Sequence, residues 1–336
     1  MDAVFAFKNS NISTQNDTEG ILKLKAKIKE ILENPNHEET SITNFLNTLT
    51  NIDAVLAFLR KGTNTENCSW DPAVLPDMTI GYMDDVPFLT NLAYLVVIDL
   101  INQKHYDQAI ALWNDAILLS RRITFGGHLV CNLKGNALEQ TGIKIISQHM
   151  VKCKLLDQMQ LKQIQVYWQN LPDSQSIHKS VLSDLSLSID RMKKYPILAF
   201  LEFGFESPVG HEYFRDVAIP IKVGEHKYSL ADWIGAIHCF FTIDYNSIEK
   251  TIFECVDCVA LPYESFEMAF RAFMLKMHNT EYSYEKDIFF AILPAIEAGK
   301  YEENRTNTLR TFFQRELINK ISRCKKLQSS YGCVQK

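Results

Sequence analysis

The sequence predicts an all-α protein of stacked antiparallel helical hairpins, with a minor irregular or β-hairpin insertion near 208–229. Three observations carry this expectation. Backbone punctuators are scarce: 13 Gly and 10 Pro in 336 residues, where average usage would give about 40, and long helices tolerate that scarcity better than many short strands do. Apolar residues recur at helical rather than alternating spacing along most of the chain. Hydrophobic residues at 46% and charged residues at 22% are the proportions of a chain that buries a core, which excludes a largely disordered one.

The elements follow in order. Ile21, Leu24, Ile28, Ile31 and Leu32 space a first helix over 20–33, with Lys23, Lys25, Lys27 and Lys29 on its other faces, and Asn34-Pro35-Asn36 ends it. A second helix is expected from Ile42 to Leu59, stopped by Gly62. Residues 63–84, with Trp70, Pro72 and Pro76, read as a long connection. Asp84-Asp85 and Pro87 open a third helix that reaches Ile101, since carboxylates and a proline suit a first turn. A fourth spans His105 to Arg122, a fifth runs from Gly127 to about Lys152, and two more cover 156–170 and 175–203. Pro208, Gly210, Pro220 and Gly224 then interrupt the pattern, and Ile219–Tyr228 is expected to form a small hairpin around Gly224-Glu225. Helical spacing resumes over 230–246, 248–260, 263–278, 285–298 and 303–326, the last carrying Leu309, Phe312, Phe313, Leu317, Ile321 and Cys324 on one stripe. The expected organisation is therefore an N-terminal helical pair (1–62), a connection (63–84), a helical region (85–204), an irregular connection (205–229), a C-terminal helical region (230–328) and a tail (329–336).

One stretch resembles a known unit. Gln103-Lys104-His105-Tyr106-Asp107-Gln108-Ala109-Ile110, followed by Trp113, Ala116, Ile117 and Leu119, is similar to the second half of a tetratricopeptide repeat. Ala109 and Ala116 would let two helices approach, with Tyr106 and Trp113 filling the spaces between them. The likeness covers one degenerate copy, about residues 90–123, with Val97 at a position that is small in the repeat, Lys104 at the turn glycine and Arg121 at the closing proline. The resemblance implies stacked hairpins and a groove for a protein or peptide.

Charge and motifs narrow the function. Thirty-five Lys+Arg against 40 Asp+Glu leave a net charge of −5, which supplies no positive field for nucleic acid. Met1–Asn11 holds only a short apolar stretch, Ala3–Phe7, and Phe88–Ile101 is broken by Thr90, Asn91 and Asp99; no signal peptide or membrane span is expected, and the expected setting is cytoplasmic. The eight cysteines are scattered through apolar helical patterns and read as buried free thiols. Phosphate-binding, dinucleotide, zinc-protease and nucleophile-elbow motifs are missing, and no cofactor or metal is implied. Cys255-Val256-Asp257-Cys258, with His238 and Cys239, is a conceivable soft-metal or redox set, or simply core thiols on an apolar helix.

Two clusters are candidate binding residues. His128, Asn132, Gly135, Glu139 and Gly142 fall at offsets of 0, 4, 7, 11 and 14 and so share one helix face. Two glycines there signal a close approach, either of another helix or of a ligand in a groove lined by His128, Asn132 and Glu139. Glu206 and His211, with Glu202 and Glu212, gather around the Gly204–Gly210 break as an acid–base set or an exposed polar corner. The expected function is a scaffold or adaptor that binds a protein or peptide. The alternatives are an α-helical enzyme using these polar residues on an unknown substrate, and, from the Asn/Ile/Lys-rich composition, a bacterial effector delivered into host cells.

Overall fold

The structure, a computed structural model, describes residues 18–33, 39–49, 52–63, 85–126, 128–151, 156–194, 221–223, 226–228, 230–279 and 284–332. It is all-α apart from one small hairpin. The helices are α1 (Thr18–Glu33), α2 (Glu39–Asn47), α3 (Ile52–Thr63), α4 (Asp85–Asn102), α5 (Tyr106–Ile123), α6 (Leu129–Ile145, continued by a π-helix Ile146–Val151), α7 (Gln158–Asn170), α8 (Ile177–Lys194), α9 (Leu230–Thr242), α10 (Tyr245–Ala260), α11 (Tyr263–Asn279) and α12 (Tyr284–Gly332). Strands β1 (Ile221–Val223) and β2 (His226–Tyr228) pair antiparallel with Ile221 opposite Tyr228, as the Gly224-Glu225 turn signal predicts.

Contacts divide the chain into two compact units, residues 1–175 with 302–336 and residues 176–301. The division falls between Gln175 and Ser176, ahead of α8; the 205–229 segment expected as a connection lies mostly outside the described residues. Helix α12 contributes to both units, up to Tyr301 in the second and from Glu302 in the first.

Two expected boundaries move, and one residue leaves its expected face. Residues 42–59 form two helices, because Thr48 and Leu49 N–H groups bond back to the Phe45 and Leu46 carbonyls at 3.0 Å and tighten the last turn of α2. The segments 285–298 and 303–326 form one helix, α12. Gly299 costs only about 1 kcal/mol within a helix, which burial of Leu293, Ile296 and Thr306 on either side offsets. Phe312 leaves the expected stripe: it is 51% exposed, while Phe313, Leu317 and Ile321 are buried.

The first unit is organised around the hairpin α4–α5. Helix α4 is apolar on all sides and packs on α1, α2, α3, α5 and α6, and Leu92, Ala93, Tyr94, Leu95 and Val97 are wholly buried. By length and a mean hydropathy of 1.3 it would pass for a membrane span, although none was expected here; 67% of it is buried inside the protein, the environment of a core helix. Its one acidic interior residue, Asp99, accepts from Thr43 Oγ1 of α2 at 2.5 Å and Gln103 Nε2 at 2.7 Å, so its burial is compensated. Ala109, Trp113 and Ala116 of α5 are fully buried where α5 packs on α4 and α6.

The α4–α5 turn shows why Lys104 departs from the repeat pattern at a cost. His105 N–H bonds Leu100 O at 2.8 Å and Lys104 N–H bonds Ile101 O at 3.0 Å, the paired bonds of a Schellman cap. That cap needs a left-handed residue after the helix, and Lys104 supplies it with φ of 63°. A side chain there costs roughly 1–2 kcal/mol, partly offset by the greater freedom glycine would have in the unfolded chain. Lys104→Gly is expected to raise stability by up to about 1 kcal/mol, read as a higher urea midpoint by fluorescence of the buried Trp113.

The second unit packs α8, α10 and α11. Ile177, Val181, Leu185, Ile189 and Met192 of α8 and Ile248, Ile252, Cys255, Val256 and Val259 of α10 are buried, both at helical spacing. Phe266, Phe270, Phe273 and Met277 supply the inner face of α11.

Candidate functional site

The polar face of α6 is the most unusual feature of the first unit. Asn132, Asn136, Glu139 and Gln140 are all buried, Asn132 and Glu139 completely, so each polar atom there requires an internal partner. Arg121 of α5 donates from Nε to Glu139 Oε1 at 3.0 Å. Arg310 of α12 donates from Nε to the same oxygen at 2.7 Å and from Nη2 to Oε2 at 2.5 Å. One carboxylate thus ties the consecutive helices α5 and α6 to α12, whose Arg310 is 171 residues away in sequence.

Its surroundings complete the hydrogen bonding. Arg121 Nη1 donates to Pro172 O at 2.9 Å, and its guanidinium lies 4.8 Å over the Trp168 ring, a cation–π contact. Arg310 Nη2 also reaches Ser174 Oγ at 2.7 Å, and its Nη1 reaches Asn307 Oδ1 at 2.8 Å. Gln140 donates to Glu302 Oε2 at 2.5 Å and Thr306 Oγ1 at 3.1 Å. Asn136 donates to Asn132 Oδ1 at 2.7 Å, and Asn132 to Gln175 O at 2.6 Å. An aromatic group seals the seam: Trp168 meets Phe313 edge-on at 4.9 Å and stacks on Trp113 at 6.4 Å, while Trp113 Nε1 donates to Gly142 O at 3.0 Å.

The two glycines of this face have a direct explanation. A Cβ on Gly135 would lie 2.7 Å from Ser120 O and 2.6 Å from Thr124 Cγ2, and one on Gly142 would lie 2.5 Å from Tyr94 Oη. Helix α5 and the Tyr94 ring fill the space that the sequence left open to either a helix or a ligand. Of the two readings, the close approach at these glycines is that of α5 and Tyr94, and Asn132 and Glu139 are buried beside it. His128 stands at the N-cap of α6, half-buried, its carbonyl accepting from Asn132 N–H at 3.1 Å. Glu206 and His211 lie outside the described residues.

Electrostatics agree with a structural clamp. Burial pushes the Arg121 guanidinium below its ordinary value; the Glu139 charge opposes this and Arg310 adds to it. Burial also holds the Tyr94 hydroxyl well above the usual tyrosine range, as a neutral partner of Ser120 at 3.1 Å. Every nitrogen of both guanidinium groups has a protein acceptor within this seam. Chemically the arrangement holds helices together.

In the second unit Cys255 is buried and its thiol is pushed up to about 12, by burial first and by Cys258 second. The Cys258 thiol is raised too, by burial and then by Asp257 and Glu254. Thiols held protonated are poor nucleophiles and poor metal ligands at neutral pH. Among the described residues no three His, Cys, Asp or Glu side chains gather as a metal site requires, and His238 is exposed on α9.

Arg121 and Arg310 were not singled out from sequence as partners of Glu139. The one available signal was Arg121 at a helix position that the repeat pattern gives to proline. Arg310 carries none, being 171 residues from Glu139. No protein-family model, curated protein or solved structure matches this chain.

Two outcomes are expected. Glu139→Ala leaves the buried Arg121 and the half-buried Arg310 without their carboxylate and should cost about 3–5 kcal/mol, whereas replacing Arg121, Glu139 and Arg310 together by Met, Leu and Met should cost far less, as read from urea denaturation. In the second unit the folded state keeps the Cys255 proton up to about pH 12, while the unfolded chain releases it near pH 9. The stability this contributes is complete below pH 9 and is lost as pH rises toward 12, by about 2 kcal/mol at roughly pH 10.5. The urea midpoint of Cys255→Ala should therefore fall less steeply above pH 9 than that of the native chain.

Proposed function

We propose that this chain is a helical interaction protein, a scaffold or adaptor, and that it meets a protein or peptide partner on the α10–α11 hairpin. The observation that carries the reading is the two-sidedness of α11. Its inner face is buried, yet Met268 and Leu275 on the opposite side are 74% and 62% exposed. Phe253 of the neighbouring α10 is 59% exposed. Burying a Met, Leu or Phe is worth about 1.5–3 kcal/mol, so three such side chains in water hold stabilisation that only a partner would realise. Large apolar side chains left exposed on one helical hairpin support an interaction site there.

The hairpin that resembles a tetratricopeptide repeat does not supply that surface. Helices α1, α2, α3, α6 and α7 pack around α4 and α5, and the residues that carry the resemblance serve the core. The enzymatic alternative gains no support from the α6 seam, whose polar groups are saturated by one another.

The test is a photoreactive residue at Ala272 in the full-length chain, irradiated in a lysate of the cells that make it. Adducts are expected at Ala272 and are expected to vanish when Met268→Glu and Leu275→Glu are added, with circular dichroism and melting unchanged. Equal adduct yield from the doubly substituted chain, or no adduct from the native one, would overturn the reading.

A further inference from the structure

Resting on that reading of the α11 surface, we infer that its occupant is a second copy of this chain, docked through antiparallel pairing of α11 with itself. The exposed residues of α11 follow a seven-residue repeat. Ser265, Ala272 and Asn279 occupy one seam position and Met268 and Leu275 the other, and all five are exposed. This is the a/d pattern by which two helices pack, on the side of α11 opposite Phe266, Phe270, Phe273 and Met277.

The alternation of size selects the orientation. In a parallel pair like positions meet, so Met268 would face Met268 and Ala272 would face Ala272, giving a seam alternately crowded and hollow. In an antiparallel pair unlike positions meet, and each layer sets a small residue against a large one, the arrangement that fills an interface evenly. Ser265 then faces Met268 of the second copy, and Ala272 faces Leu261, which is 36% exposed at the start of the hairpin link; the paired seam in this register runs from Leu261 to Ala272, with Leu275 and Asn279 beyond it.

Charge points the same way. Glu264 and Arg271 border the seam on one edge, seven residues apart and both exposed. The antiparallel register places Glu264 of each copy beside Arg271 of the other, two equivalent ion pairs related by the two-fold axis, as a self-complementary interface demands. The parallel arrangement would instead set Arg271 beside Lys276 of the other copy, like against like. A seam this short predicts a weak, concentration-dependent dimer rather than an obligate one.

The experiment is sedimentation of the full chain up to about 100 μM, with three variants whose altered residues are all exposed. The native chain should dimerise reversibly. Met268→Glu should abolish association. Arg271→Glu alone sets carboxylate against carboxylate and should weaken association at least tenfold, and adding Glu264→Arg should restore it. A chain that stays monomeric, a dimer indifferent to Met268→Glu, or a charge swap that fails to rescue would overturn the inference. If the chain is monomeric while Ala272 forms adducts with another protein, the interaction function stands and self-pairing falls; no association and no adduct would remove both.

Discussion

The first unit depends on one carboxylate. Glu139 has no exposed surface, and its two oxygens accept from guanidinium groups on α5 and α12. Removing any ion from water into an interior costs several kcal/mol, which is recovered only when geometry and hydrogen bonding are nearly complete. Here they are: the guanidinium nitrogens not directed at Glu139 reach backbone carbonyls after α7, Asn307 and Ser174. The consequence is specificity of docking. Helix α12 could slide along an apolar stripe at small cost, but only one register places Arg310 against Glu139, Thr306 against Gln140 and Phe313 against Trp168 together.

Around that clamp the unit is arranged by size. Ser120 of α5 and Thr124 just after it press on Gly135, and Tyr94 of α4 presses on Gly142, so α6 can lie close enough for Arg121 to span the gap. A larger residue at either position would separate the helices and lengthen the ion pair. The glycines and the buried charges are thus one device, since the short helix separation is what keeps the polar groups in reach of each other.

Among its described residues, the second unit forms its interior from the phenylalanine-lined face of α11, the apolar faces of α8 and α10, and the buried thiol of Cys255. Its distinctive feature is on the outside, where α11 repeats an apolar pattern that no part of the described chain covers. Lys276 pairs with Glu254 across the α10–α11 hairpin, an exposed ion pair worth at most about 1 kcal/mol.

Helical periodicity, turn chemistry and the scarcity of Gly and Pro were enough to specify the class, most helix positions and the small hairpin, because these follow from forces acting within a few residues. The sequence also marked Asn132, Glu139, Gly135 and Gly142 as one face, because helical geometry alone places them there. Three things needed the tertiary structure. Whether that face was open depended on Tyr94, Ser120 and Thr124, which approach from other helices. Which charges met Glu139 depended on Arg310, carried in by a helix that runs on through Gly299 because burial outweighs a glycine's modest penalty. And the outer seam of α11 was hidden in a pattern apolar on two sides; spacing shows that such a helix has two faces, and only packing decides which one is left to the solvent.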